Sequence, residues 1–172
     1  MPRKIRITVK PPGGDRIYHI LPNDVETVLS RLPVDAYDRV KGVHFNDQSR
    51  GGRTLGYTNR GRREISLCSL PPRMSMTRFL VKGQSPEMFG ARRGTQWPKL
   101  AIRRFLLYDV LLHEIGHLQI IDRKAKGEYR RFAREGKAQE FGMFWCAKLW
   151  SEPFDHPDPV HNSPSKEELI VA

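Results

Sequence analysis

Cys68 and Cys146 are the only cysteines in 172 residues. They are too few for a disulfide framework and lack the paired spacing of a thiolate metal site, so buried free thiols in a reducing cytoplasm are expected. Long apolar runs are equally scarce. Pro11 and Pro12 follow the basic amino terminus, where a secretory signal would need an apolar stretch. The most apolar segment, from Phe105 to Ile121, is interrupted by Asp109, His113, Glu114 and His117, which fits a buried helix and not a bilayer span. No membrane association is expected. Acidic residues are few as well: 19 Asp and Glu against 30 Lys and Arg leave a formal net charge of +11. Such a surface attracts anions, whether nucleic acid, acidic protein segments or lipid headgroups. No internal repeat is visible.

The chain does have enough apolar material, 38% of residues, to bury one core of ordinary size. A single domain is expected over residues 1–150, with a proline-rich tail over 151–172 marked by Pro153, Pro157, Pro159 and Pro164. Alternating side chains predict an edge strand at residues 4–9 and a second short strand from Arg16 to Leu21. Val25, Val28, Leu29 and Leu32 recur at helical spacing behind Asn23 or Asp24 as a cap and ahead of Pro33. Val40 to Phe45 and Glu64 to Leu70 read as further strands on either side of a glycine- and arginine-rich stretch. Pro98 opens a helix expected to run to Lys124 or Lys126, and a second long helix is predicted from Tyr129 to Trp150.

His113 and His117 lie four residues apart in the segment HEIGH, so on a helix both imidazoles point from one face and can reach one zinc ion. Glu114 sits beside them, displaced by about 100 degrees around the axis, where a carboxylate can serve as general base toward water. Apolar neighbours on every side, among them Leu111, Leu112, Ile115 and Leu118, place this polar triplet in a buried helix. Buried polar groups need partners. A hydrogen-bonded network in an ordinary core is the alternative to a metal. A catalytic zinc takes a third protein ligand and leaves one position open. Glu135 is the first candidate, because Ala138 and Gly142 share its helix face and let two helices approach. Glu140 is its rival. Gln139 can support a ligating histidine from behind. Asp122, His156 and His161 rank lower as ligands, and Tyr129, His44, His156 and His161 are candidate donors to a developing oxyanion.

The sequence HEIGH followed by Glu135-Gly136-Lys137-Ala138-Gln139-Glu140-Phe141-Gly142 resembles the gluzincin metallopeptidases, in particular small intracellular members with a glutamate helix of the form ExxA(D/N)xFA. The resemblance spans about residues 100–150. It implies His113, His117 and Glu135 as zinc ligands, Glu114 as base, and hydrolysis of peptide bonds in a protein or peptide substrate by metal-activated water. Gln139 stands where that family has Asp or Asn, and Gly142 where it has Ala. The longer metzincin motif is excluded, because Ile120 and Arg123 occupy its glycine and final histidine positions. By analogy with such folds, Glu64 to Leu70 is expected to be the edge strand that receives substrate.

Arginines also cluster with glycine at residues 50–53, 60–63 and 92–94, near Tyr57 and Trp97. Flexible arginine beside a stacking aromatic can hold phosphates and unpaired bases. A basic nucleic-acid-binding protein with a structural or degenerate zinc site is therefore the second expectation. The first is an α+β, zincin-like peptidase domain with a small mixed sheet, a HEIGH helix, a glutamate helix and a tail able to cover the cleft.

Overall fold

The computed structural model describes the backbone of residues 4–120 and 127–171, and the side chains of residues 4–120 and 134–170. Its fold is α+β around a four-stranded mixed sheet of order β1-β2-β4-β3. The strands are β1 (Arg6–Val9), β2 (Gly42–Asn46), β3 (Gly56–Asn59) and β4 (Glu64–Cys68). β1 runs parallel to β2 and β2 parallel to β4, whereas β3 folds back antiparallel to β4. A parallel pair needs a crossover. Helix α1 (Pro22–Arg31) supplies it between β1 and β2. The two inner strands carry the apolar weight, with Val43, Phe45, Ile65 and Leu67 all buried.

Helix α1 opens on Pro22, and the Asp24 carboxylate accepts the Leu21 backbone N–H at 2.9 Å, satisfying a donor at the helix entrance. Helices α2 (Lys99–Phe105) and α3 (Leu111–Gln119) are joined by a π turn at Leu106–Val110, a widening often found beside functional sites. Helix α4 (Gly127–Trp150) packs along α3, and α3 also lies against β3 and β4. Two glycines set these distances. A Cβ on Gly116 would come within 3.0 Å of the Ala138 backbone, and one on Gly142 within 3.1 Å of the His113 nitrogen. Gly56 does the same for the sheet, since a Cβ there would meet the Ser66 carbonyl at 3.0 Å and Val110 at 3.2 Å.

Several expectations need correcting. Residues 16–21 form no strand; Ile17 makes only an isolated bridge to Leu70. The HEIGH helix ends at Gln119, where Ile120 turns to extended backbone, short of the predicted Lys124. β4 is an inner strand, and the edge beside α3 is β3, which arises from the glycine- and arginine-rich stretch. The carboxy-terminal segment is not merely extended. It contains a short 3-10 turn at Pro159–His161 and helix α5 (Lys166–Val171). It docks on α1 and α2: Arg104 is fully buried and donates to the Asn162 and Pro159 carbonyls and to both Glu168 carboxylate oxygens. Among the described residues, no helix is long and apolar enough to cross a membrane.

Candidate metal centre

On α3, His113 and His117 project from one face, as four-residue spacing requires. Their rings meet edge to face, with the two Nε2 atoms 3.1 Å apart. Glu135 of α4 closes the triangle: one carboxylate oxygen lies 3.2 Å from His113 Nε2 and the other 3.0 Å from His117 Nε2. Electron-rich atoms at this separation repel unless a proton or a cation lies among them. Tetrahedral zinc with bonds of about 2.1 Å would hold its ligands about 3.4 Å apart, so the donor set fits that ion in kind and in spacing. Among the described residues no fourth His, Cys, Asp or Glu joins the group, and the Glu135 side chain is 57% exposed. One side is therefore open to solvent.

The ring of His113 is held in a defined tautomer. Asp109 Oδ1 accepts from Gln84 Nε2 at 2.6 Å and from Gln139 Nε2 at 3.2 Å, which turns the Gln139 amide oxygen toward His113. That oxygen accepts from His113 Nδ1 at 2.9 Å, leaving the lone pair on Nε2 at the candidate centre. Burial pushes the Asp109 carboxyl up, while its two amide donors pull it back. Burial also lowers the pKa of His117, and the neighbouring His113 lowers it further. A neutral imidazole is the form that ligates metal.

Glu114 is buried on the flank of α3 toward the sheet. Its Oε2 accepts from Thr58 Oγ1 of β3 at 2.7 Å, and Thr58 also reaches the Glu114 carbonyl at 3.1 Å. Burial pushes the Glu114 pKa up, against the pull of the Thr58 hydrogen bond and of His113. Arg60, just beyond β3, donates to the His117 carbonyl at 2.8 Å and so ties the strand end to the end of α3. A cavity of about 570 Å³ opens here. His113, Glu114, Glu135 and Gln139 form one wall, and Leu55, Phe79, Val81, Phe105 and Val110 form an apolar one.

The other candidates lie elsewhere. Glu140 is exposed on α4 and outside the triangle. His44 is on β2, in contact with Thr8 and 3.0 Å from Glu64. His156 stacks on Phe154 in the carboxy-terminal segment and His161 meets both rings edge-on, and no residue of that segment lines the cavity. Asp122 and the Tyr129 side chain lie outside what is described. Thr58, Asp109, Gln84 and Arg53 are additions. Of these only Asp109 carries a local signal, since it precedes His113 by one helical turn. Cys68 and Cys146 are buried and unpaired, and burial drives their thiols up to about 11 and about 12.

No protein-family model, no curated protein and no solved structure matches this chain.

Proposed function

We propose that the chain is a zinc-dependent peptidase of the gluzincin kind on a zincin-like domain, with His113, His117 and Glu135 as ligands and Glu114 as general base. The observation that carries this reading is the convergence of two imidazole Nε2 atoms and one carboxylate within 3.2 Å contacts, open on one side and next to a buried glutamate. Zinc, when bound there, supplies a Lewis acid that acidifies water and polarises the scissile carbonyl.

The chain's own groups do the rest. Thr58 pins one oxygen of Glu114, leaving the other free to take a proton from the attacking water and pass it to the leaving amine. Burial raises the basicity of that carboxylate toward the range a base needs. The free edge of β3 runs beside α3 and can receive a peptide as an added strand. Two buried thiols fit a cytoplasmic setting.

Metal analysis of the purified chain is the test. One zinc per chain is expected, with Glu135→Ala losing it and Glu140→Ala retaining it. Glu114→Gln should keep the zinc while peptide hydrolysis falls by about 100-fold or more. A folded chain without metal, or a Glu114→Gln variant with undiminished hydrolysis, refutes the proposal.

A further inference from the structure

Five arginines, Arg50, Arg53, Arg60, Arg62 and Arg63, fall between Gln48 and Arg63, and that stretch contains no carboxylate. It encloses β3, so cations stand at both ends of the edge strand that flanks Glu114. Two of them are held by the protein itself. Arg60 donates to the His117 carbonyl, and Arg63, in a left-handed conformation at φ 58°, donates to the Arg39 carbonyl at 3.0 Å. Arg53 differs. It is exposed, it lines the cavity beside His113 and Glu114, and among the described residues its guanidinium has no hydrogen-bond or ion-pair partner.

The three acids of that cavity are already engaged. Asp109 holds Gln84 and Gln139, Glu114 accepts from Thr58, and Glu135 faces the two histidines. None of the three pairs with Arg53. A guanidinium at the mouth of a cleft, with a fork of donors matched to two oxygens, selects a carboxylate. Beside it, Leu55, Phe79, Val81 and Phe105 offer room for an apolar side chain. We infer that Arg53 is a specificity residue that pairs with a carboxylate of the substrate, so that this site takes acidic peptides in which the anion neighbours an apolar residue.

The substrate identity rests on the peptidase reading, whereas the pairing at Arg53 does not, and the experiment separates the two. The carboxylate can come from an Asp or Glu side chain or from a peptide's own carboxy terminus. Quenched peptides with an apolar residue at the cleavage point would be compared in two arms, Glu against Gln at the neighbouring positions, and free acid against carboxy-terminal amide. In the zinc-loaded chain the acidic member of one arm should have a kcat/KM about tenfold higher, as expected of a charge-assisted hydrogen bond. Arg53→Gln should erase that ratio, and Arg53→Glu should turn it toward Lys-containing peptides.

The same labelled peptides would be titrated onto the Glu114→Gln chain, where binding is read without turnover. Tighter binding of the acidic peptide that Arg53→Gln abolishes supports the pairing, even if the wild-type chain cleaves nothing, in which case the peptidase reading alone fails. A preference that survives Arg53→Gln overturns the inference. So does a single-stranded oligonucleotide that binds more tightly than the peptide and loses its affinity in Arg53→Gln, because Arg53 would then serve phosphates.

Discussion

His113 faces two ways, and the direction of one proton decides what it can do. With Nδ1 donating to Gln139, the Nε2 lone pair is presented to His117 and Glu135. Gln139 is an amide that could face either way, and Asp109 settles it by accepting the NH2 side. An amide thus takes the place that a carboxylate or its amide holds in the motif this sequence resembles, and a buried carboxylate one layer further out restores the negative end of the chain of hydrogen bonds. Gln139→Leu should weaken zinc binding by about 10- to 100-fold, measured by competition with a chromogenic chelator. An unchanged affinity would mean that packing alone orients the ring. Asp109 and Gln84 show how partial the sequence's account of this cluster is. The first shares a helix face with His113 and is legible one turn away. The second comes from a loop at residue 84 whose placement no local periodicity announces.

At the scale of elements, His113, His117 and Glu135 come together because α3 and α4 approach more closely than ordinary side chains allow. Gly116 faces Ala138, and Gly142 faces the backbone at His113. Both contacts are to main chain, which cannot swing aside as a long side chain can. Gly116→Ala should therefore cost about 1–3 kcal/mol of unfolding free energy in a urea titration, with a parallel loss of zinc affinity as Glu135 is pushed off the histidines. A variant as stable as the parent would show that the helices have slack. Small residues at i+3 and i+7 from Glu135 are visible in sequence, which is why the glutamate helix and its facing side can be read in advance. β3 cannot. Gly56-Tyr57-Thr58-Asn59 is four residues long, follows two glycines, and carries little of the alternation that marks β2 and β4. Its strand character comes from pairing with β4, a contact made only once the sheet has assembled. Assigning the edge to β4 follows from the same blindness, since apolar alternation reports a buried strand but not its position in the sheet.

Across the whole molecule, the carboxy-terminal segment braces the face of the fold formed by α1 and α2, leaving the cavity clear. Proline spacing predicts irregular backbone there, and cannot reveal that Arg104 and Arg31 on earlier helices supply the docking bonds. His161 lies at the centre of that contact. Arg31 donates to the Tyr108 hydroxyl at 2.9 Å and to the His161 carbonyl at 2.6 Å, so the Tyr108 O–H is left to donate to His161 Nδ1 at 2.8 Å. The remaining ring proton then sits on Nε2, which is buried without a hydrogen-bond partner among the described residues. Burial, and secondarily the nearby His156, lowers this imidazole from 6.5 to about 4. In the unfolded chain it takes up a proton below 6.5, whereas the folded chain resists until about 4. Between those values the unfolded state binds more protons, so stability is complete above the window and declines as pH falls through it. His117 shifts in the same direction and adds to the trend, so the wild-type curve alone does not isolate His161. His161→Gln keeps an oxygen to accept from Tyr108 but cannot titrate. Urea midpoints measured at pH 7.5 and pH 4.5 should therefore fall less in His161→Gln than in the parent. Equal declines in the two proteins would remove His161 from the account and leave any pH dependence of the docking to Asp158 and Glu168, whose carboxyls Arg103 and Arg104 hold below their ordinary values.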